Sequence, residues 1–228
     1  MKSRAVQDIF GDRASLVQRA FLRDPKKHWV IPEFCREGVS AGLASGVLNQ
    51  AESLGYVHRE RKGRESYSHL VRKELLLKDW SRSYRFSRNQ SAYYFYPGKD
   101  FLKTIRRRLA QDKVGYALTL FSASRLISPY VKEDRHFIYL DKRGESFWKY
   151  LDQLEREQLI YKLAHGGNVC FLAPFYRSSL FRDARTLRGY RVASNLQLYL
   201  DLMAFPPSGP EEAKHLEEYF KKQGKPFV

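Results

Sequence analysis

Cysteine is scarce in this 228-residue sequence, which contains only Cys35 and Cys170, far apart and in no paired motif. Their spacing argues against a disulfide scaffold and a zinc ribbon, and it is typical of proteins from a reducing compartment. The polar residues after Met1 predict that no signal peptide is present. No stretch approaches the roughly 18 apolar residues of a membrane span. We therefore expect a soluble, cytoplasmic protein that does not contact a membrane.

Catalytic motifs are also lacking. The sequence contains no GxGxxG, no Walker-type phosphate loop, no HExxH and no GxSxG, so the signatures of several large enzyme classes are missing. A Mg²⁺-dependent nuclease is an alternative suggested by Glu133, Asp134, Asp141 and Lys142. The segment 141–143 does not have the acid-x-Lys spacing of such enzymes. We therefore expect no catalytic activity, no cofactor and no metal site.

Negative charge is in short supply relative to positive charge. The chain has 41 lysines and arginines but only 25 acidic residues, which gives a net charge of +16. Residues 1–90 hold 18 basic and 10 acidic residues, and residues 91–228 hold 23 and 15, so both parts are equally basic. A basic surface attracts polyanions, and nucleic acid gains binding free energy by releasing counterions. The composition favours a nucleic-acid partner over a surface that is basic only for solubility.

The N-terminal part shows signals for three helices in close succession. Apolar spacing predicts a helix over residues 15–22, and a β-prone run follows at residues 29–31. Residues 32–37 form a short predicted helix that begins at a proline and ends at Gly38. Ser40 is a suitable N-cap for a third helix over residues 41–54.

The third helix has two contrasting faces. We expect a buried stripe, because apolar residues recur at three- and four-residue steps at Leu43, Val47, Leu48, Ala51 and Leu54. Small or polar residues form the other face, namely Ala41, Gly42, Ser45, Gly46 and Asn49. Small side chains let a helix enter the DNA major groove closely, and an Asn amide can pair with adenine. The alternative is an exposed face that is small and polar without a function.

A charged hairpin is predicted directly after this helix. Residues 56–61 and 64–70 alternate as strands, with a turn at 62–63. Its tip carries four cations within six residues, Arg59, Arg61, Lys62 and Arg64. A short helix, a tight turn, a longer helix and a hairpin follow one another in the order of a winged helix-turn-helix. In that interpretation the hairpin is the wing and its cations contact the sugar–phosphate backbone.

Several segments resemble a known family of regulators. Residues 39–48 and 52–57 are similar to the helix-turn-helix and wing entry of bacterial winged-helix regulators. Residues 73–84 (KELLLKDWSRSY), residues 192–202 (VASNLQLYLDL), Pro206 and residues 209–213 (GPEEA) resemble the AbiEi family. The resemblance spans about Ser15 to Tyr219.

The resemblance implies a function as well as a fold. AbiEi proteins are transcriptional-regulator antitoxins of type IV toxin–antitoxin systems. Membership implies a winged-helix DNA-binding domain, a C-terminal domain needed for antitoxin action, repression of the protein's own operon and a nucleotidyltransferase-like toxin as partner. The groove-facing and wing positions carry over residue by residue, whereas the C-terminal motif assigns no individual roles.

The C-terminal part alternates between strand and helix signals. Residues 115–121, 136–140 and 168–172 are predicted strands, and residues 122–128, 145–158, 194–203 and 209–222 are predicted helices, together with one that follows Asp100. We therefore predict an α+β protein with a winged helix-turn-helix at residues 1–84, a linker or edge ribbon at 85–99 and a mixed α/β domain at 100–228.

Taken together, the sequence predicts a DNA-binding transcriptional regulator that acts as an antitoxin and autoregulates its operon. We expect Ser40, Ala41, Gly42, Ser45 and Asn49 to face the major groove and the four hairpin cations to contact phosphates. The expected partners are double-stranded DNA, a cognate toxin and a second copy bound to repeated half-sites. The alternatives are a standalone transcription factor and the targeted nuclease.

Overall fold

A computed structural model describes residues 8–61, 63 and 66–228. The chain divides into two units. Unit 1 contains the chain up to Tyr84, the segment Tyr176–Ser179 and Val228, and unit 2 contains Arg85–Phe175 and Leu180–Phe227. Both combine helices with strands, so the α+β class is confirmed.

Unit 1 begins with three helices, α1 (Ser15–Arg23), α2 (Ile31–Arg36) and α3 (Ala41–Ser53). A two-stranded antiparallel sheet follows, formed by β1 (Val57–Glu60) and β2 (Tyr67–Leu70). The helix α4 (Lys73–Ser83) then completes the unit. The three predicted helices and both hairpin strands are confirmed. The β-prone run is confirmed only at Trp29, which bridges Ser68 of β2 through two 2.8 Å hydrogen bonds, whereas Ile31 already begins α2.

The core of unit 1 is built around Trp80 of α4, which is fully buried. Its ring stacks on Phe10 at 5.3 Å, and Arg19 of α1 lies over it at 5.5 Å. The indole Nε1–H donates a 2.9 Å hydrogen bond to the Tyr176 hydroxyl, which in turn donates to the Phe10 carbonyl at 2.7 Å. Because Tyr176 lies almost a hundred residues beyond Trp80, a distant part of the chain supplies a wall of this core.

A carboxylate fixes the returning segment within unit 1. Asp12 accepts hydrogen bonds from the backbone amides of Ser178, at 2.8 and 2.9 Å, and of Ser179, at 3.2 Å. The Ser15 hydroxyl also donates to the Ser179 hydroxyl at 3.2 Å inside the unit. The segment Tyr176–Ser179 is thus held by backbone as well as side-chain hydrogen bonds.

Unit 2 is built on a six-stranded mixed sheet in the order β3-β6-β5-β4-β8-β7. Pairs β3–β6, β5–β4 and β8–β7 are antiparallel, whereas β6–β5 and β4–β8 are parallel. The strands are β3 (Gln90–Tyr94), β4 (Tyr116–Leu118), β5 (His136–Leu140), β6 (Val169–Ala173), β7 (Arg185–Leu187) and β8 (Tyr190–Val192). All five residues of β6 are buried, so the apolar run there reflects a central strand.

Five helices accompany this sheet, and they are α5 (Phe101–Gln111), α6 (Leu120–Ile127), α7 (Gly144–Arg156), α8 (Asn195–Met203) and α9 (Ser208–Lys222). The predicted strands and helices of this part are confirmed, with shifts of a few residues. Strand β3 lies at one edge of the sheet, inside the segment 85–99 for which a linker or edge ribbon was predicted. The hairpin β7–β8 at the other edge has no counterpart among the predicted elements.

A buried carboxylate links α8 to the sheet. Asp201 is fully buried and accepts hydrogen bonds from Thr119 Oγ1 at 2.5 Å, from the Tyr139 hydroxyl at 3.1 Å and from Gln197 Nε2 at 2.9 Å. A buried charge is tolerated when several donors replace its water shell. The amide-bearing face of α8 in the family-like segment therefore has a structural role.

His136, at the start of β5, is held in its neutral form. Its Nδ1 lies 3.3 Å from Arg125 Nη2, and since a guanidinium can only donate, the imidazole must accept. The ring also stacks on Phe101 at 4.9 Å. Burial, and next the Arg125 charge, lower the pKa of His136 to about 4.

We expect this histidine to make unit 2 less stable in acid. Because the pKa is depressed on folding, the unfolded chain binds the proton first, so stability is complete above pH 6.5 and is lost as the pH falls toward 4. After allowance for solvent screening the loss is about 2 kcal/mol. Urea unfolding at several pH values should show a steeper decline for the wild type than for His136→Gln, which keeps an acceptor but does not titrate. Parallel curves would contradict this assignment.

Candidate nucleic-acid interface

The connection between α2 and α3 is tight. Gly38 adopts a φ of +86°, a conformation that glycine adopts without steric cost, and the Val39 amide donates to the Phe34 carbonyl at 3.3 Å. Ser40 then caps α3, since its hydroxyl accepts a 3.3 Å hydrogen bond from the Leu43 amide. The predicted N-cap is confirmed.

The exposed face of α3 begins at its first residue. Ala41, Gly42 and Asn49 are exposed and Ser45 is half-buried. A Cβ atom placed on Gly42 would contact no other side chain or element within 4 Å, leaving aside the adjacent residues and the backbone of the helix itself. The helix therefore has open space beside its first turn, within its own unit.

Two residues of the helix predicted over 41–54 lie differently from the expected pattern. Gly46 was expected on the open face but is buried, because that flank of α3 is covered as well as the apolar stripe. Leu54 was expected in the stripe but is 45% exposed, although its amide still donates the helical hydrogen bond to the Gln50 carbonyl. The core therefore does not cover the stripe at the C-terminal end of α3. Of the predicted stripe, Val47, Leu48 and Ala51 are buried.

Two arginines of the hairpin bind side chains of α3. Arg59 donates a hydrogen bond from Nη1 to the Asn49 Oδ1 atom. Arg61 forms an ion pair with Glu52, to which it donates two hydrogen bonds. The hydrogen bond from Arg61 is the main reason that the pKa of Glu52 lies below its usual value. Helix and hairpin thus form one polar surface.

Glu52 changes how the hairpin cations must be interpreted. It neutralises much of the charge of Arg61, so a phosphate would have to compete with a carboxylate for that guanidinium. Burial, and then the neighbouring Arg61 charge, lower the pKa of Arg59. The sequence pattern alone predicts free cations at these arginines and no role for Glu52. Its position three residues after Asn49, on the same helical face, was the available signal.

The remaining hairpin cations, Lys62 and Arg64, lie outside the described residues. Gly63 between them is described and adopts a φ of +58°. This positive φ agrees with the predicted chain reversal between the two strands.

One face of the hairpin carries an aromatic cluster. In the β1–β2 register His58 lies opposite His69 and Glu60 opposite Tyr67, whereas Val57 lies on the other face. His28 stacks on Tyr67 with ring centroids 4.3 Å apart. Burial, and then the two neighbouring histidines, lower the pKa of His69. A neutral ring in this cluster avoids placing adjacent positive charges together.

The nuclease alternative gains no support from the described residues. Glu133 holds Arg135 through two hydrogen bonds of 2.9 and 2.7 Å, and Asp141 is exposed. Within the described ranges, no group of three or more His, Cys, Asp or Glu side chains is arranged to hold a metal ion. No helix of the described chain combines the length and apolarity required to traverse a bilayer.

Comparison with protein families gives one match. A family model described as "Transcriptional regulator, AbiEi antitoxin, Type IV TA system" matches residues 69–219. The match begins inside β2, so α3 and β1 lie before it, and it covers about two thirds of the chain. The chain has no significant match among curated proteins or solved structures.

Proposed function

Because the chain belongs to the AbiEi family of transcriptional-regulator antitoxins of type IV toxin–antitoxin systems, we propose that it binds double-stranded DNA through unit 1 and represses its own operon. In this proposal α2 and α3 are a helix-turn-helix and the β1–β2 hairpin is its wing. The same function would place the protein in the cytoplasm, where its operator lies.

The exposed first half of α3 is the observation that carries the proposal. A recognition helix reads bases with residues near its N-terminus, which must approach the floor of the groove. Ala41, Gly42 and Ser45 are the small residues that this approach requires, and the space around Gly42 is open within the unit. A serine cap and a tight turn fix the direction of this helix relative to α2.

The contact between Asn49 and Arg59 joins the proposed base-reading helix to the proposed phosphate-binding hairpin. Asn49 Oδ1 accepts from Arg59, and its amide nitrogen remains available as a donor. Arg59 contributes further guanidinium donors beside the helix, and guanidinium donors bind phosphate oxygens. We propose that Ser40, Ala41, Gly42, Ser45 and Asn49 face the bases, and that Arg59, Arg61, Lys62 and Arg64 fix the protein on the phosphates.

Two substitutions separate base reading from phosphate binding. Asn49→Ala is expected to relax specificity at one or two base pairs, at a cost of about 1–3 kcal/mol for the preferred site. Lys62→Ala is expected to weaken all sequences alike and to lower the slope of log K against log salt by about 1. Anisotropy titrations of operator and scrambled duplexes at several salt concentrations measure both effects.

Each variant serves as the control for the other in this experiment. Lys99→Ala, an exposed lysine of unit 2, is a further control that removes the same charge outside unit 1. Equal salt slopes for wild type and Lys62→Ala would remove the wing assignment. Unchanged discrimination in Asn49→Ala would remove the base-reading role of that residue.

The antitoxin role implies partners beyond DNA. We propose a cognate toxin of the nucleotidyltransferase-like class encoded beside this gene, and binding of two copies to repeated half-sites, since one chain contributes one recognition helix. Co-expression should restore growth to cells that express the adjacent toxin. If no such gene adjoins this one, the chain is a standalone regulator.

A further inference from the structure

A cavity of about 470 Å³ opens in unit 2, beside the edge strand β7. Its walls come from α6, the β7–β8 hairpin, the start of α8 and the end of α9. This volume lies within the range of small-ligand sites. None of the residues given a role above lines it.

The cavity combines positive charge with apolar and aromatic surface. Arg185, Arg188 and Lys225 line it, and among the described lining residues there is no carboxylate. Tyr219 and Phe220 contribute aromatic rings next to each other in α9. Burial alone lowers the pKa of Arg185, with no acidic group beside it to offset that effect. Such a cavity is complementary to an anion that carries a flat or apolar body.

One of these cations occupies a costly backbone position. The hairpin reverses through Arg188 and Gly189, because Leu187 pairs with Tyr190. Both turn residues have positive φ, +48° for Arg188 and +80° for Gly189, as a type I′ turn requires. Asn or Gly fits the first position with less strain, and an arginine costs about 1 kcal/mol more there. An arginine is thus placed against the cavity where local geometry favours another residue.

A residue of the cavity wall, Asn195, has a buried acceptor atom without a hydrogen-bond partner. Asn195, the first residue of α8, has a buried Oδ1 atom that receives no hydrogen bond from the described protein. A buried acceptor without a donor costs about 1–3 kcal/mol. A rotation of the Asn195 amide toward the cavity would let an N–H group of a ligand satisfy this acceptor. The start of α8 adds the positive end of a helix dipole.

We propose that this cavity is a nucleotide-binding site. The base would stack on the Tyr219 ring and contact with its edge the Phe220 ring, which is perpendicular to Tyr219 and stacks on Phe227. It would donate an N–H to Asn195, and the phosphates would bind Arg185, Arg188 and Lys225. Every nucleobase offers an N–H donor and a flat ring. The three cations are complementary to the negative charge of the phosphates. The site is independent of DNA binding by unit 1 and gives the second unit a small-molecule ligand.

Isothermal titration of the full chain with ATP, GTP, CTP and UTP tests the proposal. At least one nucleotide should bind about tenfold more tightly than its nucleoside and than tripolyphosphate, because base and phosphate both contribute. Arg188→Asn should weaken that binding about tenfold. Since Asn suits the turn, its melting temperature should equal or exceed that of the wild type, which separates lost binding from lost folding.

Two further variants are matched controls. Arg107→Asn removes the same charge from an exposed position of α5 and should leave nucleotide affinity unchanged. Gly42→Glu alters the proposed DNA-binding face and should also leave it unchanged, so that failure of one proposal is distinguishable from failure of the other. Asn195→Ala should reduce affinity for the nucleotide and not for tripolyphosphate.

Three results would overturn the assignment. Absence of binding by all four nucleotides at millimolar concentration would leave the cavity without this ligand. Equal affinity for tripolyphosphate would make it a simple anion site. Binding of a short acidic, aromatic peptide in place of the nucleotides, with loss in Arg188→Asn, would make it a protein-docking site.

Discussion

Gly42→Glu is expected to lower operator affinity by about a hundredfold or more while the protein remains fully folded. The substitution places a carboxylate on the second residue of α3, in space that is open within unit 1. On DNA the same space would be filled by the base edges, and the added charge would lie among phosphates. Steric exclusion and repulsion therefore act together.

The folded state should tolerate this change well. Glycine inside a helix costs about 1 kcal/mol relative to better helix formers, and an acidic residue in the first turn interacts favourably with the helix dipole. Thermal unfolding should show equal or higher stability, while anisotropy titrations with operator DNA show the loss. Ala110→Glu, an exposed position of α5, adds the same charge in unit 2. Operator binding by Gly42→Glu with wild-type affinity would reject α3 as the recognition helix.

Trp80→Ala is expected to destabilise unit 1 by about 3–5 kcal/mol. The side chain is fully buried, stacks on Phe10 and lies under Arg19. Its removal would leave a large cavity and would take away the donor to the Tyr176 hydroxyl. Since marginally stable domains have only about 5–15 kcal/mol in total, much of the unit should unfold. Denaturant unfolding followed by circular dichroism measures the change.

Two comparisons refine the interpretation of this loss. Trp148→Ala removes the same side chain from a position of α7 that is 42% exposed, and it should cost less than about 1 kcal/mol. Trp80→Phe keeps a smaller ring and lacks the N–H donor, so its lesser effect of about 1–2 kcal/mol reports the lost hydrogen bond together with the reduced packing. A Trp80→Ala effect as small as that of Trp148→Ala would show that this tryptophan does not organise the core.

The elements with local signals were predictable from the sequence. Helix α3 has a cap, a period and a stop within about fifteen residues, and β5 is a continuous apolar run, so both lie close to their expected positions. Gly46 was misplaced because neighbouring residues cover α3 on more than one side. The apolar periodicity of the sequence predicts only one buried face of the helix. Leu54 was misplaced because the core that covers the stripe does not reach the C-terminal end of α3.

Two kinds of feature were not predictable: elements too short to have a periodic pattern, and contacts that depend on residues distant in the sequence. The hairpin β7–β8 has strands of three residues, too short for a periodic signal, although Gly189 marks its turn. The pairing of Arg61 with Glu52 depends on the hairpin's register relative to α3. The unpartnered Asn195 acceptor emerges only when four elements surround one cavity, so no sequence pattern could indicate it.

The return of the chain to unit 1 has a consequence for dissecting the protein. A fragment cut after Tyr84 would contain Trp80 but neither Tyr176 nor the serine amides that bind Asp12, and it would also lack the Val228 carbonyl to which Lys73 donates. Truncation mapping would then confuse a damaged scaffold with a missing activity. Point variants in the intact polypeptide are the sounder way to assign roles to its two halves.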